Sequence, residues 1–463
     1  MPNVLSKFLT RLRSVATGTT RTLDATPEPL SVSICSDDSV GSVVEPQSDS
    51  SKPPENVIAP LDVPAQASGR AAPHDHVITK ESANPVAMEV DGTRAAPTPE
   101  LSPDTRRLKV IDAEYSVETG SAVRELKAQN DLRNRAEEIV SSMERRLAEK
   151  VLPGMAFDTC RQAAREQAIV IRAGELEPTE SIWFIGDVHG DLLALDCALA
   201  YIRGFPGAEA HRLVFLGDLF DDGDYSYEVV LRVLDLICQN PKQICLLAGN
   251  HDEALAFDGA RFTSSVDPSD FTSWLNENLS DAVIRRLGQL IVELFKLMPR
   301  ALFFPDGLLI AHGGVPHTDL CATIQCPNDL NAPECLQDFV WTRAHERAKR
   351  RIPNRMTRGC EFGIQDFEQF CIAASQAIGQ PVARMLRGHD HVENRFALYE
   401  RYVKNPVLTI NTLSRKLPRE VFGPFERMPC IARWIPDQLP EVHRVNIPPD
   451  VVREVYRGNQ API

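Results

Sequence analysis

The segment Gly-Asp-Val-His-Gly at residues 186–190 contains an aspartate and a histidine two positions apart. Asp187 and His189 follow the apolar run 182–185 and precede a stretch of leucines at helical spacing. This pattern predicts a buried strand, a tight turn and a helix. Polar side chains on such a turn lie just beyond the carboxyl end of a strand, where α/β sheets collect their chemistry. Both side chains can therefore point at one cation.

Four further turns carry metal-ligand side chains after short apolar runs. They supply Asp218 in Gly-Asp, Asn250 in Gly-Asn-His, His312 in His-Gly-Gly and His389 in Arg-Gly-His. Small residues beside each ligand let the backbone turn sharply and approach an ion closely. Six candidate ligands exceed the needs of one tetrahedral ion. They suit two ions that share one carboxylate and clamp an in-line displacement at phosphorus.

The chemistry of these ligands narrows the choice of metal. Oxygen and imidazole donors together favour manganese, iron or zinc over calcium. The absence of thiolates from the set argues against a structural zinc site.

The elements that must position these turns alternate between strand and helix. Apolar runs and helical spacing predict a βαβαβ unit with a parallel sheet. The predicted strands cover 182–186, 212–217 and 243–248, and the predicted helices cover 191–203 and 225–238.

Elements outside this unit follow the same periodicities. Helices are predicted over 122–150, 156–171 and 270–297, the first of them long, charged and suited to docking or to light packing on the core. The apolar runs 301–304 and 308–312 predict a hairpin, and strands and turns predominate after about residue 380.

Composition divides the chain unevenly. Residues 1–105 hold 13 of the 34 prolines and a single aromatic residue, Phe8, so they cannot bury enough apolar surface to offset their ordering entropy. We therefore predict a disordered Pro/Ser/Ala-rich region over 1–105, a helical extension over 106–155, a catalytic domain over 156–450 and a C-terminal tail over 451–463.

Charge and cysteine usage bear on partners and compartment. A net charge of −14 argues against non-specific binding to nucleic acid or to an anionic membrane, and no apolar stretch is long enough to span a bilayer. Eleven scattered cysteines without a Cys-x-x-Cys pair indicate reduced thiols and a cytoplasmic location. The first 23 residues are basic, which leaves organellar import or export as the alternative.

These motifs, taken in order, resemble those of the calcineurin-like metallophosphoesterases, and within them the phosphoprotein phosphatase family of Ser/Thr phosphatases. Residues 338–341 (Asp-Phe-Val-Trp) and 358–363 (Arg-Gly-Cys-Glu-Phe-Gly) resemble two further elements of that family. The resemblance covers roughly residues 156–450. It implies an α/β fold, namely a four-layer α/β/β/α sandwich around the βαβαβ core.

The resemblance also implies roles for individual residues. Asp187 and His189 would bind the first metal, and Asp218 would bridge both ions. The second metal would be held by Asn250, His312 and His389. His251 would be the general acid, Asp221 would orient it, and Arg358 would clamp the phosphoryl oxygens together with Asn250. The attacking group would be a hydroxide that bridges the two ions.

The chain departs from the family pattern at the phosphate-binding positions. Asp222 stands where these phosphatases usually have an arginine, which exchanges a cation for an anion near the substrate. One lost charge-assisted contact costs about 1.5–3 kcal/mol, or roughly ten- to hundredfold in affinity. Arg343 and the Lys-Arg-Arg run at 349–351 are candidate replacements. His391 lies two residues after His389. It either contacts and supports the metal ligands or has only a packing role.

Three functions remain open from the sequence. The leading one is a Ser/Thr protein phosphatase that uses two metal ions and a phosphoprotein substrate. A dinucleoside tetraphosphatase-like phosphoanhydride hydrolase is the enzymatic alternative, because such relatives often share the Gly-Asn-His-Asp sequence found at 249–252. A pseudophosphatase scaffold, with protein partners bound through the N-terminal region, is the non-enzymatic alternative.

Overall fold

The structure, a computed structural model, describes residues 107–113, 129–149, 166–176, 181–205, 211–349 and 359–456. The predicted disordered region 1–105 lies outside these residues, as does the part of a predicted helix at 156–165.

The strands of the described chain are short, with two to five residues each. They are β1 (Val110–Ala113), β2 (Ala168–Val170), β3 (Ser181–Ile185), β4 (His211–Phe215), β5 (Ile244–Leu246), β6 (Leu255–Phe257), β7 (Phe262–Ser264), β8 (Ala301–Phe303), β9 (Leu308–Ala311), β10 (Arg343–Ala344), β11 (Glu361–Phe362), β12 (Arg384–Arg387), β13 (Phe396–Leu398), β14 (Val407–Ile410), β15 (Cys430–Arg433) and β16 (Glu441–Val445).

The helices fall mainly between these strands. They are α1 (Gln129–Asn134), α2 (Ala136–Ala148), α3 (Leu192–Gly204), α4 (Ser226–Gln239), α5 (Asn250–Ala254), α6 (Asp270–Glu277), α7 (Ala282–Phe295), α8 (Thr318–Cys321), α9 (Pro333–Trp341), α10 (Ile364–Ile378) and α11 (Pro449–Tyr456). None of the described helices is long and apolar enough to cross a membrane.

Two six-stranded sheets organise the domain. The first has the order β1-β16-β15-β3-β4-β5 and the second β13-β14-β12-β9-β8-β2. The strands β3, β4 and β5 are parallel and are joined by α3 and α4, so the predicted βαβαβ unit is confirmed. In the second sheet β12 pairs in parallel with both β9 and β14, while β8 and β9 form the predicted antiparallel hairpin.

The two sheets pack face to face through alternate side chains. One core cluster joins Phe184 and Val214 of the first sheet to Ile310, Leu386 and other residues of the second. Strand alternation explains this selection, because every second side chain of a strand points to the same face. The two sheets therefore form the inner layers of a sandwich.

Helices cover the outer faces of both sheets. On the first sheet, Trp183 points away from the inter-sheet core and makes an edge contact with Tyr201 of α3, with ring centroids 6.1 Å apart. On the second sheet, Leu309 and Met385 belong to a separate cluster with Phe370 of α10. The expected four-layer α/β/β/α sandwich is thus confirmed.

The charged segment 122–150 forms two helices where it is described, α1 and α2, which meet at Arg135. Arg135 pairs with Asp235 of α4 at 2.8 Å, and Arg286 of α7 pairs with Glu144 of α2 at 2.5 Å. Ile139 of α2 is buried. Apolar contacts and ion pairs together hold the two helices against the domain.

The prediction of helix over 156–171 is wrong at its carboxyl end. Residues Ala168–Val170 form β2, which pairs in parallel with β8 at the edge of the second sheet. Ile169 packs into the inter-sheet cluster and Ala168 faces the outer one, so the run is buried on both sides. A short apolar run that is buried on both faces has no alternation that would distinguish strand from helix.

The domain boundaries inferred from composition stay predictions, although two elements lie across them. β1 falls in the predicted helical extension, yet it pairs in parallel with β16. Helix α11 crosses residue 450, and its buried Tyr456 donates a hydrogen bond to Asp191, the N-terminal cap of α3.

The packing between the sheets makes a quantitative prediction for stability. Phe184 is fully buried and lies 5.9 Å from Phe304, measured between ring centroids. We expect Phe184→Ala to lower the free energy of unfolding by about 3–5 kcal/mol, since it removes apolar contacts and leaves a cavity. Denaturant titration measures this change. The matched control is Phe422→Ala at a side chain that is 83% exposed, and equal effects of the two substitutions would contradict the assigned core.

Candidate metal centre

The predicted ligand turns of both sheets meet at one place. Asp187, Asp218 and Asn250 follow β3, β4 and β5 of the first sheet, and His312 and His389 follow β9 and β12 of the second. Because each group of strands is parallel, its turns emerge at a common edge of its sheet. Face-to-face packing of the sheets brings the two edges together.

The backbone at these turns is held in an uncommon conformation. His189, Asp218 and His389 have φ angles of 41°, 53° and 68°, in the left-handed region that non-glycine residues seldom adopt. Glycines make the close approaches possible. A Cβ atom added at Gly388 would lie 2.0 Å from the Asp187 carboxylate, and one added at Gly249 would lie 2.2 Å from that of Asp218. Residues held in this way are typical of functional sites.

The first half of the centre contains Asp187 and His189. The His189 Nδ1 donates a hydrogen bond to the carbonyl oxygen of Phe220 at 3.0 Å, and its Nε2 lies 3.5 Å from Asp218 Oδ2. The Asp187 carboxylate accepts a hydrogen bond from the backbone N–H of His389 at 2.8 Å. Both side chains are fully buried and fixed in orientation.

His391 also belongs to this half of the centre. Its Nε2 lies 3.0 Å from His189 Nε2 and 3.7 Å from Asp187 Oδ2. The sequence left its role open between support of the metal site and simple packing. The available signal was the two-residue spacing of His389 and His391, which repeats the spacing of the first turn.

The second half of the centre surrounds the Nε2 atom of His312. This atom lies 3.0 Å from Asn250 Oδ1, 3.2 Å from His389 Nδ1 and 3.3 Å from Asp218 Oδ2. The opposite ring nitrogen donates to the carbonyl oxygen of Leu216 at 3.0 Å. Asp218 therefore lies between the two halves.

The donor set fits a pair of divalent cations. The Nδ1–H groups of His189 and His312 donate to backbone carbonyls, which turns the Nε2 atom of each ring toward the Asp218 carboxylate. A cation bound between these side chains would have both Nε2 atoms and the carboxylate as ligands. Burial lowers the pKa of His189 to about 4 and the pKa of His389 well below its usual value, so both rings are neutral, as metal ligation requires.

A histidine–aspartate pair lies beside the metal ligands. His251 Nδ1 is 2.8 Å from Asp221 Oδ2, and the other oxygen of that carboxylate accepts the backbone N–H of Phe271 at 3.0 Å. The rings of His251 and His189 make an edge contact, with centroids 4.9 Å apart. Burial opposes a charge on His251, but the carboxylates of Asp218 and Asp221 outweigh it and raise the pKa of His251 to about 9.

Asp222 replaces a cation with an anion next to this pair. Its φ is 59°, and its backbone N–H donates to Asp270 at 2.9 Å. Burial, and further the charge of Asp270, raise the pKa of Asp222 to about 6. The carbonyl oxygen of Asp222 accepts a hydrogen bond from Arg415 at 3.2 Å, so its backbone is held from two directions.

Of the side chains that could replace the missing cation, Arg343 and Lys349 lie among the residues that the structure describes. Arg343 lies beside the second half of the centre, where it pairs with Asp390 at 2.5 Å and donates to the carbonyl oxygen of His389 at 3.3 Å. Arg358 lies outside the described residues, as do residues 350 and 351 of the basic run. The Asp252 carboxylate accepts the backbone N–H groups of Asp218 and Gly249 at 2.7 and 2.9 Å.

Comparisons with known proteins find similarity over the part of the chain that carries this site. The model for calcineurin-like phosphoesterases matches residues 180–393. Human serine/threonine-protein phosphatase 5 is 26% identical over 205 residues, which are 41% of this chain and 36% of that protein. The serine/threonine-protein phosphatase 4 catalytic subunit of Saccharomyces cerevisiae is 24% identical over 220 residues, 45% of this chain and 65% of that protein.

A solved structure of a serine/threonine phosphatase from Saccharomyces cerevisiae is also similar, with a TM-score of 0.47 and 17% identity over 68% of this chain and 91% of that one. The chain spans about a third of the length of its human relative.

Proposed function

Because residues 180–393 are a divergent calcineurin-like phosphoesterase domain, we propose that the protein is a metal-dependent Ser/Thr protein phosphatase. The observation that carries this proposal is the convergence of ligand side chains from both sheets beside the His251–Asp221 pair. Phosphoester hydrolysis needs both parts, since the nucleophile must be activated and the leaving alkoxide must be protonated.

The metal-binding roles follow the two halves of the centre. The first ion would be held by Asp187, His189 and His391, and the second by Asn250, His312 and His389, with Asp218 shared. Two such ions, when bound, lower the pKa of a water molecule and polarise the phosphoryl oxygens. The manganese, iron or zinc identity of the pair is part of the proposal.

His251 would donate a proton to the serine or threonine oxygen that leaves. Its bond to Asp221 leaves Nε2 as the free donor and favours the charged ring. In turn, Asp221 is oriented by the backbone N–H of Phe271. The geometry thus supports a positioned acid with a carboxylate behind it.

The phosphate would be gripped by Asn250 and Arg358, without the arginine that relatives carry at the position of Asp222. An anion at this place repels a phosphate dianion, so we infer weak substrate binding or a substrate that brings its own cation. The family resemblance supports a role for Arg358, and Asn250 lies at the start of α5 beside His312.

The test of this function is a substrate panel on the full chain loaded with Mn²⁺. We expect hydrolysis of phosphoserine and phosphothreonine peptides. Hydrolysis of a dinucleoside tetraphosphate without turnover of any phosphopeptide would favour the phosphoanhydride hydrolase instead. Two bound ions with no turnover of either class would favour the pseudophosphatase scaffold.

Substitutions of Asp222 test how the site binds the substrate phosphate. We expect Asp222→Asn to lower the KM for a phosphopeptide because it removes the repelling charge, and Asp222→Arg to lower it further. One charge-assisted contact contributes about 1.5–3 kcal/mol, so the KM of the arginine variant should fall by roughly ten- to hundredfold. Steady-state kinetics measure the change.

The control for the Asp222 series is stability, since φ at this position is positive. Asparagine tolerates that conformation, whereas arginine in it lowers the free energy of unfolding by about 1–2 kcal/mol. Unfolding measurements separate this strain from the change in KM. Unchanged KM in both variants would show that residue 222 does not face the substrate phosphate.

We also propose a cytoplasmic location and a protein partner for the N-terminal region, with the domain boundaries predicted from composition. No disulfide bond joins two cysteines of the described residues, which supports a reducing compartment. The charged helices α1 and α2 dock through Arg135 and Arg286 and would connect such a partner to the catalytic domain.

A further inference from the structure

A second group of potential metal ligands lies outside the centre described above. His317, Asp338 and Cys360 each present one ligand atom, and these three atoms lie within 4.8 Å of one another. The His317 Nε2 is 3.9 Å from Asp338 Oδ2. None of the three residues belongs to the two halves of the first centre.

Three separate chain segments supply these residues. His317 lies five residues after the ligand His312 and directly precedes α8, and Asp338 lies in α9. Cys360 directly precedes β11. The group therefore joins segments that local sequence does not connect.

The backbone holds each member in place. The N–H of His317 donates to the Asp338 carboxylate at 3.3 Å, and the carbonyl oxygen of Cys360 accepts the N–H of Arg343 at 3.0 Å. Gly359, with a φ of 83°, turns the chain against α9, where an added Cβ would lie 2.5 Å from the carbonyl oxygen of Trp341. The site is thus built from rigid neighbours.

One polar atom of the group is left without a partner. Among the described residues, His317 Nδ1 is buried and makes no hydrogen bond, although the side chain as a whole is 24% exposed. A buried ring nitrogen without a partner costs free energy unless a ligand or a water satisfies it.

We propose that His317, Asp338 and Cys360 bind one Zn²⁺ ion, separate from the two-metal centre. Zinc combines one thiolate, one imidazole and one carboxylate readily, with bonds of about 2.0–2.3 Å. In a tetrahedral site such bonds place ligand atoms roughly 3.3–3.6 Å apart, so the three ligand atoms, which lie within 4.8 Å of one another, would move closer together when the ion binds. A water molecule would complete the four ligands.

The position of the site suggests that a bound ion would cross-link separate segments of the chain. Cys360 lies two residues after Arg358, the proposed phosphate clamp, and His317 follows the segment that carries His312. Zinc would cross-link these two segments through α9. It would therefore fix Cys360 relative to the segment that carries His312.

Cobalt substitution tests this proposal because a thiolate gives a charge-transfer absorption in the near ultraviolet that oxygen and nitrogen ligands do not give. The proposed two-metal centre contains no cysteine. Metal-stripped, reduced full chain is titrated with Co²⁺. We expect the thiolate band to saturate at one ion per chain and to disappear when Zn²⁺ is added.

Matched variants identify the ligands. Cys360→Ser should lose the thiolate band and bind one ion fewer than the wild type, and His317→Gln should weaken cobalt binding at least tenfold. Cys326→Ser, at an exposed cysteine, should leave the band unchanged. Circular dichroism checks folding, and the partly exposed His317 provides a second variant should Cys360→Ser fail to fold.

Two results would overturn the proposal. One is the absence of a thiolate band in the wild type, and the other is a band that persists in Cys360→Ser. Neither result depends on turnover, so the zinc site and the phosphatase activity fail or hold independently.

Discussion

Asp218→Asn is expected to reduce bound metal from about two ions per chain to one or fewer, and to lower kcat/KM by roughly a thousandfold, because metal ions supply several kcal/mol to such reactions. Asp218 Oδ2 lies 3.5 Å from His189 Nε2 and 3.3 Å from His312 Nε2, so it faces both halves of the centre. The amide removes one negative charge from a site in which the carboxylates of Asp187 and Asp218 lie beside the rings of His189, His312 and His391.

The backbone environment of Asp218 should survive this substitution. Its N–H donates to Asp252 at 2.7 Å, which does not depend on the side chain. The Oδ1 atom of Asp218 accepts the backbone N–H of His251 at 2.9 Å, and the amide oxygen of asparagine can keep this hydrogen bond. Asparagine also tolerates the positive φ of this position.

The measurement is metal analysis of the purified variant alongside steady-state kinetics. Asp224→Asn is the matched control, because Asp224 follows on the same connection but pairs with Arg415 at 3.3 Å rather than with the ligands. Two firmly bound ions in Asp218→Asn would contradict the bridging role. Full metal content with lost turnover would assign the residue to a later step.

The resemblance and the core of the fold were predictable because their signals are local. Parallel strands such as β3 and β4 end in turns that short apolar runs identify, and the carboxyl ends of parallel strands meet at one edge. The family match over 180–393 and the four-layer sandwich confirm these expectations. The ligand turns could therefore be found before their distances were known.

The pairings at the sheet edges were not predictable from local pattern. Val110 of β1 pairs with Val442 of β16, and Ala168 of β2 pairs with Ala301 of β8. These partners are far apart in sequence, and a strand of three or four residues carries too little alternation to identify itself. Register between distant strands depends on tertiary packing, which a single sequence does not display.

The distribution of the histidines shows a second limit on what the sequence alone can predict about the site. His389 and His391 are two residues apart, yet the first faces His312 and the second faces His189. The left-handed φ of 68° at His389 separates the directions of the two side chains. The sequence marks both as candidate ligands, but only the backbone conformation divides them between the two halves.

His251→Asn is expected to lower kcat for a phosphoserine peptide by about 10²–10⁴-fold, the usual contribution of a positioned general acid, while leaving metal content unchanged. The imidazole makes an edge contact with the His189 ring, and its ligand atom lies within 4.8 Å of those of His189 and Asp218, but the proposal assigns metal binding to other side chains, so its loss should remove no ligand. Asp221→Asn should give a smaller loss, because the ring remains but the carboxylate that favours its charged form does not.

The leaving group separates proton donation from other roles of His251. A nitrophenolate leaves without a proton, whereas a serine alkoxide needs one, so His251→Asn should slow hydrolysis of an aryl phosphate far less than that of a phosphopeptide. His211→Asn is the matched control, since His211 begins β4 at the end of the strand away from the centre. Equal losses on both substrates would mean that His251 positions the phosphate rather than protonating the leaving oxygen.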